Sequence, residues 1–129
     1  MEPSEKVVIW GDSLARGVVW NAQRGRHGYC HKSAAQVAGE KLGLSIENRA
    51  RFGYTSEQGL DVMQHDLAEG IACDAAVIEF GGNDCNFDWA AISDNPDAKH
   101  DPVTTPERFV QTLRTMVQTS TSATSGPSC

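Results

Sequence analysis

The sequence predicts an α/β sandwich built on a parallel sheet. Three observations carry this. Apolar strand patterns recur, almost continuous at Lys6 to Trp10 and Ala75 to Phe80 and with Leu44 and Ile46 on one side at Leu44 to Asn48, with helical patterns between them. Such alternation implies parallel strands joined by right-handed crossovers. Each apolar segment also breaks into a polar, glycine-containing turn: Gly11-Asp12-Ser13-Leu14, Arg51-Phe52-Gly53-Tyr54, and Gly81-Gly82-Asn83-Asp84. In open α/β sheets, ligands bind beyond the carboxyl ends of the strands, where these three turns fall.

Taken in order, Lys6 to Trp10 has the continuous apolar run of a strand covered on both faces. Leu14 to about Trp20 is compatible with a short helix, followed by a polar segment from Asn21 to Gly28. Lys32 to Leu42 reads as a helix, with Ala34, Val37 and Ala38 on one face and Gly43 where a C-terminal cap belongs. Leu44 to Asn48 forms the second strand. Thr55-Ser56-Glu57-Gln58 fits a capping box, and Leu60, Met63 and Leu67 recur behind it at helical spacing up to Gly70. Ala75 to Phe80 is the third strand. Cys85 to Thr104 reads as a long loop, or a short helix plus loop, of the kind that is more often functional than merely connecting. Thr105-Pro106-Glu107 then opens a helix with a cap, Pro at its first position and an early acid; Phe109, Val110, Leu113, Met116 and Val117 form its apolar face. The composition divides the chain into a domain over 5–118 and a Ser/Thr-rich flexible tail over 119–129.

Composition narrows the partners. The chain has 129 residues, enough for one domain, and a net charge of −6. An acidic balance argues against the nucleic-acid backbone as a partner. Arg16, Arg24, Arg26, Arg49 and Arg51 supply local positive charge, which solvated loops explain. No basic segment followed by an apolar one opens the chain, so no secretory signal is seen, and no run reaches the roughly 18 apolar residues of a membrane span. Cys30, Cys73, Cys85 and Cys129 show no zinc-ligand spacing, and without a signal they read as reduced thiols of a cytoplasmic protein. Neither metal nor cofactor is called for. The chain has no Gly-x-Gly-x-x-Gly and no Gly-Lys-Ser/Thr phosphate loop, which ranks a nucleotide binder last. The oligomeric state is not encoded in any pattern.

Ser13 follows a strand and opens a helix, so it suits either an N-cap or a nucleophile. Gly53 can bring a bare backbone N–H close to a substrate, and the Asn83 side chain can supply a second donor to a developing oxyanion. Gly53 alone also suits a simple turn, and Gly81-Gly82 a chain reversal. Together, Gly11-Asp12-Ser13-Leu14, Asn48 to Gly53 followed by Thr55, and Gly81-Gly82-Asn83-Asp84 resemble the first three blocks of the SGNH/GDSL hydrolases. The resemblance covers residues 6 to about 118. It implies a flavodoxin-like fold and serine hydrolysis of small esters, with acetylated sugars, lipids and thioesters all open. It makes Ser13 the nucleophile and implies an oxyanion hole formed by the Ser13 N–H, the Gly53 N–H and the Asn83 side chain.

The family's fourth block, Asp-x-x-His after further strands, has no counterpart after Gln118, where the chain reads TSTSATSGPSC. The expectation is a hydrolase domain incomplete at its C-terminus, short by roughly 60 to 90 residues of an ordinary domain, with impaired activity. The alternative is a non-catalytic remnant or ligand-binding fragment of such a hydrolase. Asp97 and His100 do spell Asp-x-x-His, but in the loop before the last helix; His27, His31 and His65 read as caps or surface residues. The same loop, with Phe87 and Trp89, is expected to line the substrate cleft or to pack over the sheet. Lost outer strands would leave the third strand as a bare apolar edge, so a poorly soluble or oligomeric chain is expected.

Overall fold

The computed structural model describes residues 4–123. Strand β1 (Lys6–Gly11) is central to a three-stranded parallel sheet, flanked by β4 (Ser45–Asn48) and β5 (Ala75–Glu79) in the order β4-β1-β5. Val7 pairs with Ile46 on one side and Ala75 on the other; Gly11 faces Glu79. The middle position explains the composition of β1, because Val7, Val8, Ile9 and Trp10 are all buried.

Helices α3 (Ser56–Ala68) and α5 (Pro106–Ala123) pack on each other, and Met63 and Met116 join Val8, Trp10 and Cys73 in the core. Arg108 and Glu57 form an ion pair between the two helices. Helix α2 (Ala34–Leu42) lies against β4, with Gly43 in the left-handed conformation at its end (φ 70°), as expected. The expected capping box of α3 is present: Thr55 accepts from the Gln58 N–H, and Gln58 reaches back to the Thr55 N–H. Ser33 and Gln36 make a second such box at the start of α2. Among the described residues no helix is long and apolar enough to cross a membrane.

Three expectations are corrected. The helix expected over Leu14 to Trp20 is the four-residue α1 (Ser13–Arg16), which stops at Gly17 (φ 84°). The chain then forms an antiparallel hairpin of β2 (Val18–Asn21) and β3 (Arg26–Tyr29) where a polar loop was expected. The physical reason is local: the β-branched and aromatic run Val18-Val19-Trp20 favours a strand. The apolar face of α5 is also only partly used. Met116 is buried with Thr112 and Ser120, whereas Val110 and Val117 are exposed.

Helix α5 continues through Ala123, so residues 119–123 are helical; residues 124–129 of the expected tail lie outside the described residues. Hydroxyls in this last part bond back to carbonyls of the preceding turn, Ser120 to Val117 at 3.1 Å and Ser122 to Gln118 at 3.0 Å. The expected long loop contains one short helix, α4 (Trp89–Asp94).

Strand β5 pairs only with β1 among the described residues, leaving its other edge open, with Val77 44% exposed. Cys30, Cys73 and Cys85 are free thiols.

Candidate active site

The three polar turns lie at the carboxyl ends of β1, β4 and β5 and are joined to one another by side chains. At the first turn, Asp12 caps α1: its carboxylate accepts from the Leu14 N–H at 2.9 Å. Capping is therefore done by Asp12, and Ser13 Oγ makes no hydrogen bond among the described residues. Gly11 is constrained by close approach, since a Cβ there would lie 2.8 Å from Ala15 Cβ and 2.9 Å from the Glu79 carbonyl oxygen.

The next residue of α1, Ala15, is held through both of its backbone groups. Its N–H donates to Glu79 Oε1 at 3.0 Å, and its carbonyl accepts from the Asn48 side-chain amide at 2.9 Å. Glu79 comes from the end of β5 and Asn48 from the end of β4, so the turn bearing Ser13 is gripped from both neighbouring strands. Glu79 also faces the buried Asp12 carboxyl. Burial, a hydrogen bond with Asp12 and the negative charge of Asp12 push its carboxyl up to about 7, against a smaller opposing pull from the Ala15 N–H. The Glu79 carboxyl therefore keeps its proton up to about 7.

At the second turn the ladder between β4 and β1 is prolonged by Arg49 N–H to Ile9 and Arg51 N–H to Gly11, at 2.7 and 2.9 Å. Arg49 is not a solvated loop residue as expected. It makes two hydrogen bonds, at 2.9 and 2.6 Å, to Asp66, which also accepts from Trp10 Nε1 at 3.0 Å. Burial alone would raise the Asp66 carboxyl, but the hydrogen bonds from Arg49 and Trp10 and the nearby charge hold it below the usual range. Gly53 follows in an exposed turn at φ 77°, a conformation that favours glycine, and its N–H is unbonded among the described residues.

At the third turn the Asn83 amide donates to the Tyr54 carbonyl at 2.9 Å, next to Gly53. Asp84 is buried and accepts from the Ser56 N–H at 2.9 Å and the Ser56 hydroxyl at 2.6 Å, fixing this turn to the start of α3. A Cβ at Gly82 would sit 3.8 Å from Asp12 Oδ2, so the third turn also approaches the first. Asn83 is thus bonded to the residue after Gly53, and Ser13 is tied to the same strand ends through Ala15, Asn48 and Glu79.

Other expected groups are not joined to this site by any hydrogen bond among the described residues. His100 contacts the Asn95 carbonyl at 2.7 Å, while Asp97 is exposed. His27 lies against the rings of Trp20 (centroids 5.2 Å apart) and Phe52 (5.7 Å), leaning the hairpin on the second turn. Phe87 and Trp89 contact each other at 5.7 Å, and Trp89 is exposed, its Nε1 donating to Asn86.

The Asp12–Glu79 pair and the anchoring role of Asp84 escaped the reading of the sequence. A lone acid ending the apolar run AAVIE was the available signal for Glu79.

Comparison with solved structures decides the fold. A structure of AlinE4, described as an SGNH-hydrolase family esterase, superposes with a TM-score of 0.62 over 92% of this chain and 53% of that one, at 21% identity. The lipase/acylhydrolase from Enterococcus faecalis gives 0.62 over 93% of this chain and 54% of its own, at 24% identity. The fold is that of the SGNH hydrolases. The chain spans about half the length of these structures. No protein-family model matches the sequence, and no curated protein matches it significantly. The sheet order β4-β1-β5 corresponds to the 2-1-3 portion of a flavodoxin-like sheet.

Proposed function

We propose that the chain carries the nucleophile and oxyanion hole of a serine ester hydrolase. Ser13 Oγ attacks the ester carbonyl, the alcohol leaves, and water then hydrolyses the acyl-serine. The Ser13 N–H, the Gly53 N–H and the Asn83 side chain are the donors to the oxyanion. The single observation supporting this reading is that Asp12 takes the capping role, so the Ser13 hydroxyl is spared for chemistry. Asn83 spends one amide proton on Tyr54 and retains a second. The substrate is a small ester, and a cytoplasmic setting accords with the free thiols Cys30, Cys73 and Cys85.

A second reading is favoured by the histidines. None hydrogen-bonds Ser13 among the described residues, and His100 is engaged with Asn95. Without a base, serine is a weak nucleophile at neutral pH. On this reading the chain is a ligand-binding remnant that retains the oxyanion pocket.

Incubation with a fluorophosphonate probe, followed by mass spectrometry, separates the two. The hydrolase reading expects a slow adduct on Ser13, absent in Ser13→Ala and formed about 100-fold more slowly in Asn83→Ala, the cost of one oxyanion donor. An unlabelled Ser13 after prolonged exposure, or labelling that survives Ser13→Ala, refutes it in favour of the remnant.

A further inference from the structure

From Ser13 to Gly39 the chain holds Arg16, Arg24, Arg26 and Lys32 but no Asp or Glu, although the protein's net charge is −6. The pairing of these and neighbouring cations is uneven. Lys32 bonds Glu40 at 2.8 Å and Arg49 bonds Asp66 at 2.6 Å. Arg16 and Arg51 have no carboxylate partner among the described residues. Both line one open cleft of about 360 Å³, together with Tyr29, Asn48, Phe52 and Tyr54. That volume suits part of a small-molecule ligand.

The two guanidinium groups are positioned by aromatic rings. Arg16 lies over Tyr29, 5.4 Å from the ring centroid, and donates through Nη1 to the Asn48 carbonyl at 3.1 Å. Arg51 lies over Tyr54, 5.9 Å from its centroid. A ring engages the face of a guanidinium and leaves the N–H groups at its edge available, which are the groups that grip an oxyanion in bidentate fashion. The cleft adjoins the candidate active site on two sides. Arg16 is three residues after Ser13 on the single turn of α1, and Gly53 stands between the cleft residues Phe52 and Tyr54.

We propose that this cleft binds an oxyanion group, a carboxylate or a phosphate, carried by the ester that Ser13 attacks. Placing an ester there rests on the reading of Ser13 as nucleophile; the anion site itself rests only on Arg16, Arg51 and the rings that orient them. The absence of acids from Ser13 to Gly39 also offsets the repulsion that a protein of net charge −6 imposes on an anionic substrate.

The test titrates the 129-residue chain with monomethyl succinate, methyl phosphate and neutral dimethyl succinate, followed by calorimetry or NMR. At least one anion saturates, more weakly as salt is added, and the neutral diester does not. The tighter of the two anions identifies which oxyanion the cleft serves. Arg51→Gln weakens that anion at least tenfold, and Arg51→Lys, which keeps the charge without the fork, restores only part of it. Arg51 is exposed, and an unchanged urea midpoint verifies that its variants fold. A parallel assay compares kcat/KM for 4-nitrophenyl hemisuccinate and 4-nitrophenyl butyrate. If the chain hydrolyses esters, the anionic-to-neutral ratio falls at least tenfold in Arg51→Gln. Arg51-dependent anion binding without hydrolysis supports the anion site and counts against Ser13 as nucleophile. Failure of both anions to saturate, or equal binding by Arg51→Gln, overturns the proposal whatever the esterase assay returns.

Discussion

The Glu79→Gln substitution tests the carboxyl pair beneath the Ser13 turn. Glu79 is held at about 7 in the folded protein, above an ordinary value of 4.5. A raised folded value means that the folded state binds the proton more tightly. The stabilising contribution is therefore complete below 4.5 and is lost as pH rises through about 7. With about 1.4 kcal/mol for each tenfold change in proton affinity, the loss between pH 5 and pH 8 is about 2.5 kcal/mol, or about 2 kcal/mol once solvent reaching the partly exposed carboxyl is allowed for. Gln reproduces the protonated acid: its oxygen accepts from the Ala15 N–H and its amide donates to Asp12. The variant's advantage over the natural protein should grow by about 2 kcal/mol between pH 5 and pH 8, widening the gap between their urea midpoints by about 1 M at a typical denaturant slope. Urea melts of both proteins at the two pH values measure this, and histidine titration common to both cancels in the difference. A natural protein and a Glu79→Gln variant with the same pH slope, or a variant less stable at pH 8, would refute the raised Glu79 carboxyl.

Two further outcomes follow from particular contacts. Asp66→Asn, which removes the buried negative partner of Arg49 and Trp10, should cost about 3 kcal/mol of stability at pH 7; a thermal melt within a degree or two of the natural protein would show that the network is idle. The open edge of β5 should drive self-association, and Val77→Lys should reduce it. Sedimentation velocity checks this, and a monomeric natural chain at tens of micromolar would contradict it.

The parallel sheet was legible because β1 is covered on both faces, and only a continuous apolar run satisfies that position. The capping box at Thr55 and Gln58 was legible because it uses neighbours four residues apart or fewer. The hairpin of β2 and β3 was not. Val18-Val19-Trp20 favours a strand, but its partner Arg26–Tyr29 carries Arg, His and Gly with neither alternation nor an apolar run, so nothing in the sequence marks the pairing. Arg49 was misread for a different reason: its partner Asp66 lies 17 residues away on α3, and no local pattern announces a buried ion pair. The same distance problem hid the site's supports. Glu79 and Ala15 are 64 residues apart, and Asp84 and Ser56 are 28 apart.

These supports bear on how the three turns work together. Ala15 is fixed by β4 through Asn48 and by β5 through Glu79, while Asn83 is fixed to the turn after β4 through Tyr54. The groups assigned to nucleophile and oxyanion hole are therefore oriented by hydrogen bonds within this part of the fold, independently of any histidine. Preorganised donors act on an oxyanion without moving at the moment of reaction, which separates oxyanion stabilisation from proton removal as physical tasks. The state of Glu79 changes near neutral pH. Above about 7 its ionised carboxylate faces Asp12 directly, and the repulsion falls on the turn that carries Ser13. The geometry of the Ser13 turn is thus tied to a proton at the end of β5, and the turn is held most firmly on the acid side of neutrality.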